Sequence, residues 1–397
     1  MSRWTVDGAL GLIGYLFIGT GAVLLPSVMP SITAEFAATG MTLAAIGLIF
    51  PAGAVGSILG NVLAGAGSDW FGRRRLVWLA ALLLAGSLAL TAATNLWFLF
   101  VAAYVVVSMA QGALSTGINA LVADTNRASR ARALNTLHGV YGAGAAVSPL
   151  VIGYLLELGV QWRWALGGTA LIWLIYAGIA YQLFRSKTPD EQIVSGPQRD
   201  LGMLRSGPFL ALFAIAFAYN GVAVSLLGWI AVMMEQAGGF SIFFSVSMIS
   251  IFYVALTIGR FLCAAYTERI GYARTLLVLA VGITLTYPLV VLDIHSPLVV
   301  IGVFLTGLSL SGLFPTVLAY GIRRYPQQAG AVSGTLSVAL TLGSMAPPLW
   351  TGVIATAWSF QGALAVNYLM VFPLIVLALY LGRSERRPAG SQPVLSR

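Results

Sequence analysis

Two ionisable side chains stand inside long apolar runs of this chain, Arg260 and His138. A charge at the centre of a membrane helix costs about 2.5–3.5 kcal/mol on insertion scales, so it faces a cavity or a partner. A buried guanidinium can hold an anionic group. An imidazole, with a reference pKa of about 6.5, can carry a coupling proton. All twelve acidic residues fall in loops or at the ends of runs, which leaves Arg260 no obvious carboxylate inside the apolar region. Arg260 is therefore expected to hold a negatively charged solute. Its alternative is structural: it precedes Glu268 by eight residues, about 12 Å along a helix, and can snorkel toward water or bond backbone carbonyls. His138 is either the coupling group or a packed, hydrogen-bonded histidine.

Neutral polar residues also interrupt the apolar runs: Asn61, Gln111, Asn119, Asn135, Asn220 and Asn367. Such side chains bond a solute or glue one helix to the next. Gln111 and Asn119 are expected to orient the solute, with Asn220 beside them. Tyr141, Tyr219, Trp229, Tyr253 and Phe314 are candidates for the cavity lining, although aromatic residues in membrane bundles also serve packing and the interfaces.

These residues must be positioned by membrane helices. The chain is 59% hydrophobic and 8% charged, with mean hydropathy +0.90, whereas a soluble domain carries about 25% charged residues. A hydrocarbon core about 30 Å thick needs about 20 apolar residues per helix. Twelve such runs can be counted, at 8–30, 42–64, 76–95, 97–121, 133–156, 163–184, 208–233, 240–264, 275–292, 298–321, 329–355 and 362–382. No strand-like alternation competes. With both termini cytoplasmic, every Lys and Arg except Arg163 and Arg260 falls on the cytoplasmic side, the asymmetry expected of inner-membrane proteins. The net charge of +9 then describes a basic face against anionic lipid headgroups, with no call for nucleic acid. Cys263 is the only cysteine, which excludes an intramolecular disulfide and a thiolate metal site. No cofactor motif and no catalytic triad are present, so an enzyme is not expected.

The charged stretch 185–207 is expected to link an N-terminal bundle (1–184) to a C-terminal one (208–382), with a cytoplasmic tail at 383–397. An offset of 199 residues maps Gly60 on Gly259, Asp69 on Glu268, Gly72 on Gly271, Gly144 on Gly343, Pro149 on Pro348 and Gly153 on Gly352. The first run maps on the seventh with one extra residue, Gly21 on Gly221. Duplicated halves of this kind place a solute site at mid-membrane between units that rock against each other. Pro149, and Pro347 with Pro348, are expected to disrupt the backbone ladders of the fifth and eleventh runs.

After the second run comes Gly65-x-x-x-Asp69-x-x-Gly72-Arg73-Arg74, and a degenerate copy follows the eighth as Ala264-x-x-x-Glu268-x-x-Gly271 with Arg274. This pattern resembles the loop signature of the major facilitator superfamily, and the resemblance extends to the twelve runs and the central linker. It implies an all-α membrane fold of two pseudo-symmetric six-helix bundles and secondary transport by alternating access. Asp69 is placed to hold the N-terminal end of the eleventh helix, near Gly330, and Glu268 that of the fifth, near Ala133, through their partial positive charge. Segments around Asn119, Asn135–Pro149 and Gly307–Pro315 resemble the fucose and hexose permease branch. Ala223 stands where related permeases often carry a carboxylate, a departure from that branch's sugar–proton coupling.

The leading expectation is a monomeric transporter of a small polar solute, an organic anion or sugar-like compound, with a proton or cation as possible coupling partner. A proton-driven efflux antiporter is the alternative, suggested by Gly144-x-x-x-Ser148-Pro149-x-x-Ile152-Gly153, in which Ser148 and Ile152 replace expected glycines. A membrane-embedded sensor or interaction protein is the alternative outside transport.

Overall fold

The computed structural model describes residues 6–126, 130–185, 202–295 and 297–385, with the side chains of 65–71, 130–132, 135, 202, 329 and 330 left undescribed. Residues 186–201 of the 185–207 linker and most of the tail lie outside the described residues. Twelve helices are long and apolar enough to cross a membrane: α1 (Val6–Ala37), α2 (Leu43–Ala64), α3 (Arg73–Ala93), α4 (Trp97–Thr125), α5 (Thr136–Glu157), α6 (Trp162–Phe184), α7 (Gly207–Ala237), α8 (Ile242–Ile270), α9 (Tyr272–Val291), α10 (Leu298–Arg324), α11 (Ala331–Ala357) and α12 (Phe360–Glu385). They form two six-helix bundles. Large apolar side chains point outward from them, among them Phe98 at 88% exposure and Leu369 at 74%. A surface of this kind is stable against lipid and not against water.

Several helices outrun their apolar signal, and not every proline interrupts its helix. α1 continues past residue 30 to Ala37 through Pro26 and Pro30. α5 and α11 also stay helical through Pro149 and through Pro347 and Pro348, correcting the expectation of broken helices there. A proline removes one N–H and bends the ladder, but neighbouring helices can hold the bent helix together. Other helices do break: α9 at Tyr287, directly before Pro288, α10 at Ser311–Gly312, just before Pro315, and α12 at Asn367, while α7 ends in a π-helical turn, Met233–Ala237.

The offset of 199 is written into the backbone. Gly72 and Gly271 both take positive φ (77° and 95°), as do Gly40 and Gly239 (88° and 67°). These are left-handed turns that favour glycine. Thr42 caps the start of α2 by accepting from the Ala45 N–H (3.2 Å), and Ser241, 199 positions on, caps α8 by accepting from the Phe244 N–H (3.3 Å). Close packing repeats too: Gly60 of α2 lies against the Met109 carbonyl of α4, and Gly259 of α8 against the Leu308 carbonyl of α10. Small residues permit such backbone approach between membrane helices.

Candidate functional site

α4 carries Gln111, Ser115 and Asn119 at four-residue intervals, so they share one face, turned toward α1. Asn119 Nδ2 donates to the Tyr15 hydroxyl at 2.5 Å and to the Ser115 carbonyl at 2.8 Å, while Tyr15 OH and Ser115 Oγ lie 3.1 Å apart. The Asn119 carbonyl oxygen remains available as an acceptor. Tyr15 then leads to α5: its ring meets His138 edge-on at 5.3 Å and tilts against Tyr141 at 6.0 Å. Across the seam, α8 supplies Arg260 and Tyr253. The Arg260 charge interacts with His138, Tyr141 and Tyr253, and the hydroxyls of Tyr141 and Tyr253 meet. Tyr219 of α7 joins them and stacks on Phe314 of α10 at 6.3 Å.

Arg260 is the unusual member of this cluster. Its Nε is buried and has no hydrogen-bond partner. No carboxylate among the described residues forms an ion pair with it. His138, by contrast, is exposed to the opening between the halves. The structure therefore brings together Arg260, His138, Tyr141 and Asn119, with Phe314 one ring away through Tyr219. Tyr15 joins them without having stood out in the sequence, because a tyrosine in an apolar run reads as packing.

The other expected lining residues do different work. Asn220 Nδ2 donates to the Leu340 carbonyl at 2.6 Å and ties α7 to α11. Asn367 bonds Trp350 (2.7 Å) and Thr351 (3.1 Å), holding α12 to α11. Asn61 accepts from Thr116 at 2.9 Å. Gln111 packs against Gly21 of α1. Trp229 is fully buried, with its Nε1 donating to the Pro348 carbonyl at 2.9 Å and its ring 5.6 Å from Phe50 of α2. Asn135 lies outside the described side chains.

Trp229 belongs to a closed seam. On the face opposite the clustered arginines, Glu157 at the end of α5 accepts from the Phe243 N–H at the start of α8 (2.9 Å). Thr356 at the end of α11 accepts from the Ala44 N–H at the start of α2 (3.0 Å). These two contacts are one contact drawn twice, since Glu157 maps on Thr356 and Ala44 on Phe243 at the same offset. Gly153 against Val246 and Gly352 against Gly47 repeat the relation one turn deeper. Gln236 of α7 adds a bond to Thr33 of α1 at 3.1 Å. A side chain at a helix N-terminus satisfies an otherwise unpaired N–H, and a carboxylate there also meets the helix dipole. Toward the arginine-rich face the same helices part: Thr136 and Gly139 of α5 and Gly334 and Ser337 of α11 are exposed, and a side chain at Gly139 or Gly334 would touch nothing. Among the described residues, the two halves touch on the face opposite the clustered arginines and present exposed side chains toward the arginine-rich face.

A family model for the Major Facilitator Superfamily matches residues 11–292 and 247–396. The chain belongs to the Major Facilitator Superfamily. It is 26% identical over 416 residues to the uncharacterized MFS-type transporter YfkL of Bacillus subtilis, covering 99% of this chain and 100% of that one. It is 25% identical to the hexuronate transporter of the same organism, covering 96% and 97%. It is 24% identical over 262 residues to the B. subtilis glucose/mannose transporter GlcP, covering 62% of each. Among solved structures it superposes on an inward-facing, occupied bacterial homologue of the lysosomal transporter Spinster with a TM-score of 0.78, at 13% identity and covering 95% and 96% of the two chains. The D-xylose–proton symporter gives 0.75 at 13% identity, covering 96% and 97%.

The superfamily's loop motif is only partly visible. Gly65 lies in the helix that continues α2 to Phe71, and the Asp69 side chain is outside the described residues. Arg73 contacts Asp124 at the end of α4 and reaches the Ala120 carbonyl at 3.4 Å. Arg74 Nε and Nη2 both lie 3.0 Å from Oδ2 of Asp7, which is 3% exposed. These pairs brace the N-terminal bundle internally. Glu268 is exposed and forms no ion pair among the described residues. The start of α5, where its expected contact lies, includes the undescribed side chains of 130–132. Arg163, on the opposite face, is accounted for by Glu35, which it grips with both terminal nitrogens (2.5 and 2.7 Å) while lying over the Trp162 ring at 4.4 Å.

Proposed function

We propose that this protein moves a sugar-like organic anion, of the sugar-acid class, across the inner membrane by alternating access. The observation that carries this reading is the Arg260 guanidinium: it is partly buried at the seam between the halves, and its Nε is unpartnered. An arginine fork matches a carboxylate in two-point geometry. On the facing wall, Asn119, Tyr15 and Ser115 form a polar array suited to hydroxyl groups. The stacked Tyr219 and Phe314 rings offer an apolar surface to the carbon skeleton. A hydroxylated carboxylate fits all three, and the similarity to sugar and hexuronate transporters supports the same class. With the arginine-rich face cytoplasmic, as the charge asymmetry indicates, the open cavity faces inward and both termini are cytoplasmic.

The test is binding and uptake with purified protein in liposomes, using D-glucuronate, D-gluconate and D-glucose as probes. A ligand at 100 times its Kd stabilises the folded state by about 2.7 kcal/mol. D-glucuronate or D-gluconate should raise the melting temperature, and Arg260→Gln should abolish both that rise and uptake. If D-glucose stabilises wild type and Arg260→Gln equally and the acids do nothing, Arg260 is structural and the anion reading fails.

A further inference from the structure

We infer that a groove between α9 and α12, on the arginine-rich face, binds an anionic phospholipid. Its phosphate sits on Arg274 and Arg383, and the start of an acyl chain lies along Leu277 and Leu379. The groove encloses about 450 Å³, and all four residues line it. On each helix the arginine and the leucine are three or four residues apart and share a face. In both cases the arginine is nearer the helix end and the leucine lies deeper. Both arginines are exposed, and neither forms an ion pair among the described residues. Glu385 also lines the groove, so two arginines against one carboxylate leave it net positive. Beyond the leucines the apolar surface continues toward the bilayer centre, with Leu285 of α9 and Phe372 of α12 exposed. A cationic end above an apolar wall matches an amphiphile.

The N-terminal bundle carries the same crevice in filled form. At the offset of 199, α3 and α6 correspond to α9 and α12, Trp78 to Leu277, Tyr181 to Tyr380 and Phe184 to Arg383. The Trp78 ring lies 5.4 Å from that of Tyr181, and Phe184 is buried. Side chains of the protein itself occupy that space. In the C-terminal bundle the indole is replaced by the smaller Leu277, and Tyr380 places its hydroxyl against Gly207 of α7. Where the first half buries a phenyl ring, the second presents the guanidinium of Arg383. The same exchange of residues thus opens the space and charges its rim. Arginine meets a phosphate with two parallel N–H bonds, and basic pockets between membrane helices take anionic headgroups. A free phosphate would satisfy the two arginines and leave the leucine wall uncovered, whereas a phospholipid covers both.

The experiment uses the full-length protein, delipidated in detergent, with native mass spectrometry and melting temperature as readouts. The probes are dioleoyl phosphatidylglycerol, dioleoyl phosphatidylcholine and inorganic phosphate. Wild type should bind its first phosphatidylglycerol at least tenfold more tightly than phosphatidylcholine, and only phosphatidylglycerol should raise the melting temperature. Arg274→Gln should weaken that first binding about fivefold, and Arg274→Gln with Arg383→Gln about 30-fold. Leu277→Trp keeps both arginines but fills the groove as Trp78 does, and it should lose the same adduct. Arg75→Gln, at the position equivalent to Arg274 in the filled half, should change nothing. Equal binding of phosphatidylcholine, or a loss in Arg75→Gln as large as in Arg274→Gln, leaves only the general charge of that face and overturns the site. Binding of phosphatidylglycerol by Leu277→Trp at the wild-type affinity overturns the groove as its seat. Stabilisation by inorganic phosphate that excludes phosphatidylglycerol assigns the arginines to a free anion and overturns the lipid.

Discussion

Replacing Gly352 by alanine should drive the closed seam apart. A Cβ at that position would lie 2.8 Å from the Leu43 carbonyl oxygen, 2.9 Å from Trp229 Cζ2 and 3.3 Å from its Cη2. The carbonyl is backbone and the indole is fully buried, held by its bond to Pro348. Neither can yield cheaply. Overpacking a close-packed contact costs about 1–3 kcal/mol. The greater helix propensity of alanine, about 1 kcal/mol, acts equally with the seam closed or open and does not change their ratio. The Trp229 clash lies within the C-terminal half and persists on opening, whereas the Leu43 clash crosses the seam and is relieved. A cost of that second kind, up to about 3 kcal/mol, multiplies the open population by up to about 150, at tenfold per 1.4 kcal/mol. Gly153 is the internal control, because its added Cβ would lie 3.1 and 3.3 Å from the Val246 side chain and 3.5 Å from the Phe243 Cα, with no atom under 3.0 Å. Gly153→Ala should shift the equilibrium by less than tenfold. Spin labels at the exposed Leu96 and Leu292, in a Cys263→Ser background, report the opening by pulsed electron resonance. Gly352→Ala should add a longer-distance population larger than that of Gly153→Ala. An unchanged distribution, or the reverse order, refutes the packing argument.

The latches one turn out should behave more gently. Glu157→Gln keeps a carbonyl acceptor but loses the charge at the α8 N-terminus, worth about 0.3–1 kcal/mol at an exposed site. The same labels should show at most a fivefold shift, and a larger one would mean that Glu157 has a second role. At the opposite face, Asp69→Asn should slow uptake while leaving membrane insertion intact; measured transport at the wild-type rate removes Asp69 from the gate.

Much of this was legible before any coordinates. Twelve apolar runs give twelve helices because a single continuous apolar run satisfies its own backbone in lipid only as a helix, and no strand-like alternation is present for a barrel. Gly72 and Gly271 were readable as a repeated turn because positive φ demands glycine. The limits are equally physical. Proline marks a missing N–H, yet whether a helix breaks depends on what surrounds it, so the helix stays whole through Pro149 but breaks beside Pro288 and Pro315, and Asn367 gave no warning. Trp229 and Tyr253 are both aromatic residues in apolar runs. Only tertiary packing sends one to the closed seam and the other to the guanidinium. Asp7, near the terminus, looked like a loop charge until Arg74 was seen beside it.

The two outer latches are copies with one difference. Where α5 ends in the carboxylate of Glu157, the equivalent point of α11 carries the hydroxyl of Thr356. A carboxylate at a helix end is weakened by dissolved ions, whereas a neutral hydroxyl is nearly indifferent to them. The α5–α8 corner should therefore loosen as salt rises on that face while the α2–α11 corner holds. The repeated halves thus form a door with two hinges of similar shape, only one of which responds to dissolved ions.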